Sequence, residues 1–174
     1  MADTYDFNVG KDVKAQRKLL KTYVDISDTG TPEWFLVGSG VEESTIELNP
    51  NVETVTDVLG ITTTNVTKWE ASQSFSPFTI KGGSKLAFKL HKIWMDKKPE
   101  LLSKFNVLIC YNYVGNDSDG YDAEMQKNCT INITSIGGSA YVDMPISITY
   151  SNDTEVGTVK FTDNAPTFTP NSAA

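Results

Sequence analysis

Few side chains in this sequence could act as a nucleophile, a general base or an acid. His91 is the only histidine, and a general base needs a second side chain that orients its imidazole. Its nearest charged neighbours are lysines, so a solvated surface histidine is the simpler interpretation. Carboxylate pairs can be found among the 22 acidic residues, but none has flanking residues that would raise the pKa of one member. We therefore expect no catalytic residue and no enzymatic activity.

Three short motifs resemble chemical sites but lack part of the required pattern. Gly38-Ser39-Gly40 does not have the Gly-x-Ser-x-Gly spacing of a nucleophile elbow. Gly82-Gly83-Ser84-Lys85 lacks the other glycine of a phosphate-binding loop, so a turn with a capping serine is the better interpretation. Asp117-Ser118-Asp119-Gly120 resembles a calcium loop, yet the alignment puts Gly115 and Gln126 where carboxylates are obligatory. We expect a solvent-facing loop there.

The two cysteines favour structural roles. Cys110 and Cys129 each lie in an apolar run typical of a strand, where a free cysteine behaves as a small hydrophobic side chain. We expect buried thiols. A disulfide or a zinc site is the alternative, but the sequence lacks the nearby histidine and cysteine partners of a zinc site. The sequence therefore predicts no metal and no cofactor.

Length and composition favour one folded domain. The chain has 174 residues, and 39% of them are hydrophobic, which is enough for a core. It has no apolar stretch of about 18 residues, the length that a membrane span needs. Its first residues also lack the basic and apolar regions of a signal peptide. We expect a single domain over residues 1–174, with flexible termini at about 1–12 and 164–174. We also expect the protein to fold in a cytosol and to have no membrane partner.

Charge is segregated along the chain, and its net value is -7. Because nucleic-acid binders present a basic surface, this value argues against specific binding of DNA or RNA. Residues 22–67 contain no lysine or arginine, whereas residues 68–104 are mainly basic. Either these segments pair within one chain, or the acidic surface of one subunit meets the basic surface of the next through Lys85, Lys89 and Lys92. The second alternative would build rings or filaments.

Alternation of apolar and polar residues predicts mostly strands. We expect strands at residues 20–26, 34–37, 41–48, 61–75, 105–114, 128–134, 141–150 and 155–162, with a hairpin turn at 136–139. The strand at 105–114 is apolar on both faces and should be buried. The run 61–75 has no fully buried face, as expected if it meets a partner. Residues 49–60 begin with Asn49-Pro50-Asn51 and are polar, which predicts a long loop. A second loop is predicted at residues 116–124.

One helix is predicted in the middle of the chain. Ser84 can cap its first turn, and Lys97-Lys98-Pro99 ends it. Its apolar stripe consists of Leu86, Ala87, Leu90, Ile93 and Trp94. The sequence therefore predicts a mainly β fold, a β-sandwich or half-barrel with one flanking α-helix.

Six short stretches extend over most of the chain, at residues 38–51, 55–60, 72–78, 82–86, 157–159 and 167–170. Taken in this order, they resemble the major tail protein family of siphophages of Gram-positive bacteria. The individual motifs are short and none is catalytic, so their order carries most of the resemblance. Some members of the family carry a C-terminal immunoglobulin-like domain, which this chain is expected to lack.

The resemblance implies a structural virion protein of the phage tail tube fold. Its subunits would form hexameric rings that stack into a hollow tube, through which double-stranded DNA passes during genome ejection without specific binding. The implied partners are further copies of the chain, the tape measure protein, and the tail terminator and distal tail proteins. The implied location is the virion tail, after synthesis and assembly in the host bacterial cytoplasm.

The tube implied by the resemblance needs an inter-ring contact and a lumen. We expect the long loop to make the contact between rings, through Asn49, Asn51, Glu53 and Asp57. An acidic lumen would repel DNA, which carries about one negative charge per 1.7 Å of axis. Alternation turns some polar side chains of the strands away from the core. The lumen candidates are Glu43, Glu47, Glu70, Asn132 and Asp143.

Other functions remain open at this point. The first is the inner tube subunit of a contractile tail or of a phage-tail-like bacteriocin. The second, from a different class, is a secreted or surface β-sandwich module that binds a ligand such as carbohydrate. The missing signal peptide and the lack of an aromatic cluster count against this module.

Overall fold

The computed structural model describes residues 7–171 and has the mainly β fold with one flanking α-helix that the sequence predicts. Helix α1 spans Lys85–Met95, and two short 3-10 helices span Arg17–Leu19 and Pro99–Ser103. The strands in this part of the chain are β1 Leu20–Asp25, β2 Trp34–Val37, β3 Ile46–Glu47, β4 Pro50–Thr56, β5 Thr62–Trp69, β6 Ser72–Phe75, β7 Phe105–Asn116, β8 Gly120–Ile133, β9 Ile146–Thr149, β10 Thr154–Thr162 and β11 Ala165–Pro170.

Nine strands form one antiparallel, half-barrel sheet. Its order is β2-β1-β7-β8-β9-β6-β3, with β10 paired to β8 and β11 paired to β10. The long strand β8 joins the two parts of the sheet, because residues 121–126 pair with β10 and residues 130–133 pair with β9. Asn128 lies between these two parts and has a φ of 53°, a conformation that asparagine adopts more readily than most residues. The remaining strands, β4 and β5, form a separate two-stranded sheet.

Helix α1 fills the hollow of the half-barrel. Its first turn is capped by Ser84, whose hydroxyl oxygen accepts the N–H of Ala87 at 3.4 Å. The predicted stripe of Leu86, Ala87, Leu90 and Ile93 is buried and packs with residues of six strands in the main core. Trp94, which the sequence places in the same stripe, is instead 52% exposed, and the Lys97 ammonium lies 3.4 Å from its ring centroid.

Strand β7 is buried on both faces, as predicted. Val107 and Ile109 face the main core, whereas Leu108 and Cys110 face a second apolar cluster on the other side of the sheet. Side chains from β10 and β11, including Val159 and Phe168, cover this second face. Full coverage of both faces explains why the sequence of β7 shows a continuous apolar run instead of alternation.

A buried hydrogen-bond network connects the two ends of the sheet. Gln73 on β6 is 1% exposed, and its side-chain oxygen accepts the hydroxyls of Thr22 on β1 (3.0 Å) and Tyr150 (2.7 Å). Its side-chain nitrogen donates to the hydroxyl of Ser44 at 3.1 Å. Strands β1 and β6 are far apart in the order of the sheet, so these bonds hold the curled sheet closed over α1.

The prediction of a loop at residues 49–60 is wrong. Pro50–Thr56 is strand β4, and it pairs with β5 to form a hairpin whose turn lies at residues 57–61. The sequence of these strands lacks the apolar pattern of a buried face, because every residue of β4 and β5 is exposed. The strands depend instead on cross-strand threonine and valine pairs, which a polarity pattern does not reveal.

Several predicted boundaries are also corrected. Only Ile46–Glu47 of the expected strand 41–48 is a strand, and before it the backbone oxygen of Ser44 accepts hydrogen bonds from the Arg17 side chain. The expected loop 116–124 shrinks to a short turn between β7 and β8, and the expected strand 128–134 is the end of β8. Of residues 141–150, only Ile146–Thr149 is a strand.

The expected flexible termini lie partly outside the described residues. Residues 1–6 and 172–174 are not described. Phe7 forms an isolated bridge with Val114 on β7, and the N–H of Asn8 donates to the backbone oxygen of Tyr113 at 2.7 Å. At the other end, β11 pairs along its length with β10, and the expected flexibility from residue 164 stays a prediction.

The Gln73 network gives a first prediction. We expect Gln73→Ala to lower the free energy of unfolding by about 2–4 kcal/mol, because two buried hydroxyls lose their acceptor. Tyr150→Phe removes one donor and is expected to cost about 1 kcal/mol. Both are measured by urea unfolding, with Ser147→Ala on the sheet surface as the control. A Gln73→Ala protein as stable as this control would contradict the role of the network.

Candidate assembly surfaces

The hairpin arm, defined here as residues 50–69, has two strands that no other described segment covers. Within the described part of the chain, β4 and β5 pair only with each other. Every residue of both strands is exposed, including Val52, Val55 and Val66. Isolated two-stranded hairpins are at best marginally stable in water. The arm is therefore an exposed surface that the described part of the fold leaves uncovered.

One face of the arm is a ladder of threonine and valine. The cross-strand pairs are Val52 with Val66, Thr54 with Thr64 and Thr56 with Thr62. The two threonine pairs are hydrogen bonded through their hydroxyls, at 3.1 Å and 3.0 Å. Because these hydroxyls satisfy each other, the methyl groups remain available for apolar contact on the same face.

The turn of the arm is ordered by a carboxylate and presents apolar side chains. Oδ1 of Asp57 accepts the N–H groups of Leu59 (2.8 Å) and Ile61 (2.9 Å). Gly60 has a φ of 79°, a left-handed conformation that favours glycine. Val58 is 102% exposed and Leu59 is 80% exposed, so an ordered turn carries two of the most exposed apolar residues. This combination is typical of a binding surface.

The predicted inter-ring residues lie along the whole arm. Asn49 is at its base, where its side-chain nitrogen donates to the backbone oxygen of Glu70 and to the Ser72 hydroxyl. Asn51 and Glu53 lie on β4, and Asp57 starts the turn. The structure thus places Asn51, Glu53 and Asp57 in the first strand and turn of the arm and Asn49 next to its base, and their contact with another ring stays a prediction.

A second surface is the outer face of β8, β9, β6 and β3, called the polar face below. The row Ile131, Ile148, Gln73 and Ile46 points inward, so the neighbouring rows point outward. The outward residues are Thr130, Asn132, Ser147, Thr149, Ser72, Ser74 and Glu47. Two of the lumen candidates, Glu47 and Asn132, therefore share this face, which consists of short hydroxyl and amide side chains with one acid.

The other three lumen candidates lie elsewhere. Glu43 is exposed in the irregular segment between β2 and β3. Glu70 forms an ion pair with Lys68 at 2.6 Å beside the base of the arm. Asp143 accepts the Thr79 hydroxyl at 2.6 Å and is half-buried, so its carboxylate is engaged within the chain.

Two of the three predicted contact lysines pair within the chain. Lys85 forms an ion pair with Glu33. Lys89 binds Asp28 at 2.9 Å and the backbone oxygens of Ile26 and Ser27 at 3.1 and 3.0 Å. These contacts support the intramolecular alternative for both lysines. Lys92 forms no ion pair among the described residues.

A groove of about 800 Å³ runs beside α1. Its apolar lining includes Ile26, Ile80 and Phe88, and Phe88 is 71% exposed. His91 also lies at this groove, on the exposed side of the helix. No sequence pattern predicts the groove, because Ile80 and Phe88 fall outside the helical stripe.

The motifs with possible chemistry have structural roles. Burial raises the pKa of the Cys110 thiol to about 12 and that of Cys129 to about 11, so both are free, protonated core residues. Within residues 7–171, no group of three or more histidine, cysteine, aspartate or glutamate residues could hold a metal ion. In the expected loop at 117–120, Asp117 accepts the Tyr121 hydroxyl at 2.8 Å.

No helix in the described part of the chain is both long and apolar enough to span a membrane.

Comparison with known proteins gives similarity in shape only. No protein-family model and no curated protein matches the chain by sequence. The chain is similar to a cryo-EM structure of the anti-feeding prophage cap, a tube terminating cap, with 14% identity over 91% of this chain and 99% of that chain and a TM-score of 0.49. It is also similar to a sheath-tube complex of an extracellular contractile injection system in the extended state, with 11% identity over 80% of this chain and 89% of that chain and a TM-score of 0.47. Similarity at this level assigns neither a family nor a function to the chain.

The contacts of Lys89 generate a second prediction. Its hydrogen bond and charge lower the pKa of Asp28, with a smaller contribution from Lys92. A carboxylate with a lowered pKa stabilises the fold above its ordinary pKa, and this stabilisation is lost as the pH falls through the lowered value. We expect Lys89→Met to raise the pKa of Asp28, measured by NMR titration, and to destabilise the protein more at neutral than at strongly acidic pH. Lys92→Met is the control, and an equal effect of both variants would contradict this assignment.

Proposed function

We propose that the chain is a structural subunit that assembles with copies of itself into stacked hexameric rings, which form the hollow tube of a phage tail. The observation that carries the proposal is the hairpin arm, an ordered element that is exposed along its entire length. The resemblance of the sequence motifs to siphophage major tail proteins supports the same role. The inner tube of a contractile machine would use the same surfaces and remains the alternative.

The energetics of the arm favour assembly over a solitary subunit. A hairpin without packing loses conformational entropy and gains little burial in return. Val52, Val55 and Val66 on its strands, and Val58 and Leu59 at its turn, are all at least half exposed. Burial of each against a neighbouring subunit would contribute about 1.5–2 kcal/mol when complete. Contact with the next ring therefore stabilises both the arm and the tube.

The polar face is suited to line the lumen. Thr130, Ser74 and Asn132 offer no cation to bind a phosphate, and Glu47 adds repulsion. Lysine or arginine in their place would hold DNA by displacing counterions. The absence of basic residues from this set allows a duplex to pass without being held. In this arrangement α1 lies on the opposite side of the sheet, away from the channel.

The arm gives the first test of this function. We expect the purified protein to form six-fold rings or tubes in negative-stain microscopy. Val58→Ser combined with Leu59→Ser is expected to leave a folded subunit, because both residues are exposed, and to prevent growth of tubes. Val156→Ser, at a valine that is 59% exposed on β10, is the control for general loss of apolar surface. Normal tubes from the double variant would exclude the arm as the contact between rings.

The polar face gives the second test. In phage particles, Glu47→Lys is expected to leave tail length unchanged and to slow DNA ejection, with partial recovery at high salt as phosphate contacts are screened. Glu100→Lys changes the charge equally on the exposed 3-10 helix next to α1 and is the matched control. Equal ejection by both variants would place Glu47 outside the lumen.

A further inference from the structure

The groove beside α1 exposes apolar surface that the described part of the chain leaves uncovered. The helix buries its opposite stripe in the core and leaves Phe88 on the groove side, 71% exposed. Ile80, 37% exposed, lies across from it in the segment that leads into the helix. A cavity of about 800 Å³ lies within the range of sites that hold a ligand or several side chains.

The charge of the groove is positive. Four lysines line it, at positions 81, 85, 89 and 92, against the two acids Asp28 and Glu33. The acids are already paired with Lys89 and Lys85. Lys81 donates to the Ser39 hydroxyl at 3.2 Å, and neither Lys81 nor Lys92 forms an ion pair among the described residues. The groove therefore offers two cations beside an apolar surface.

The turn of the hairpin arm has the complementary properties. Val58 and Leu59 project from it, fully or mostly exposed. Residues 50–67 of the arm carry the acids Glu53 and Asp57 and no lysine or arginine, and Lys68 at the base of the arm is paired with Glu70. Asp57 uses Oδ1 for both of its turn hydrogen bonds, so Oδ2 is available to a lysine.

We propose that the α1 groove of one subunit receives the turn of the hairpin arm of a second copy, with Val58 and Leu59 against Ile80 and Phe88, and Asp57 near Lys81 or Lys92. This inference rests on the proposed function and adds the receptor for the arm. An apolar contact with flanking charges accounts for both surfaces at once. The arm gains burial for its turn, and the groove gains an occupant and partners for its two cations.

Disulfide trapping tests the contact directly. We expect Val58→Cys combined with Phe88→Cys to form intermolecular disulfides in assembled protein, seen as a ladder of dimers and higher species in non-reducing gels. Either single variant lacks the ladder. The native thiols do not compete at neutral pH, because burial raises the pKa of Cys110 to about 12 and that of Cys129 to about 11. Val58→Cys with Tyr141→Cys is the matched control, since Tyr141 is 75% exposed outside the groove.

The strength of the contact is tested by a substitution in the groove that leaves the arm unaltered. Phe88→Ser is expected to raise the protein concentration needed for assembly at least about tenfold, as for loss of an apolar anchor. Trp94→Ser, at a 52% exposed residue on the same helix, is expected to change it little. Because both side chains are exposed, neither variant should unfold the subunit.

The outcomes separate the two proposals. In one outcome, the unaltered protein forms tubes while the Val58–Phe88 pair gives no cross-link and Phe88→Ser assembles at the same concentration as the unaltered protein. This result would overturn the proposed role of the groove and leave the proposed function standing. A cross-link found only within single chains would also overturn the role of the groove. Failure of the unaltered protein to form rings or tubes at any concentration would overturn both.

Discussion

The fold depends on one constraint: within residues 7–171, one α-helix has to cover a curled sheet of nine strands. Leu86, Leu90 and Ile93 cover the inner side of the curled sheet, and side chains of β10 and β11 help to cover the outer side of β7. Apolar faces of sheets must be buried, whereas polar faces of antiparallel sheets can stay in water. The sequence agrees with this limit, because the uncovered outer face of β8, β9, β6 and β3 carries hydroxyl and amide side chains. The polar face is thus a consequence of the small amount of helix that is available to cover the sheet.

The same limit leaves the hairpin arm uncovered. The Gln73 network closes the sheet over α1, and both strands of the arm lie outside this enclosure and are exposed along their length. The arm compensates locally, with hydroxyl pairs across the strands and a carboxylate that orders the turn. These bonds define its shape but bury almost no apolar surface. An ordered element with exposed valines is better suited to bind another molecule than to stabilise the fold of its own chain.

Sequence reasoning found the parts of the structure that burial determines. The helix with its Ser84 cap, the strand β1 and the doubly buried β7 all have a strong apolar signal. It missed β4 and β11, where cross-strand pairing decides the structure and polarity resembles that of a loop. It also could not tell that Lys85 and Lys89 pair with Glu33 and Asp28, more than 50 positions away along the chain. The groove was invisible for a similar reason, since its walls come from separate segments that only the fold brings together.

The exposed arm could aggregate through its open strand edges, and several of its own features oppose this. A two-stranded hairpin has two open edges, and exposed edges can pair with any other strand. Pro50 at its start removes one backbone donor, and the register shift between Asn51 and Val52 distorts the ladder near the base. Glu53 and Asp57 add like charge between arms, which disfavours pairing of one arm with another. A positively charged groove does not share this repulsion. The carboxylates of the arm would therefore oppose aggregation between arms, and Asp57 would at the same time favour binding to the positively charged groove, so that specificity comes from which surface can accept an acid.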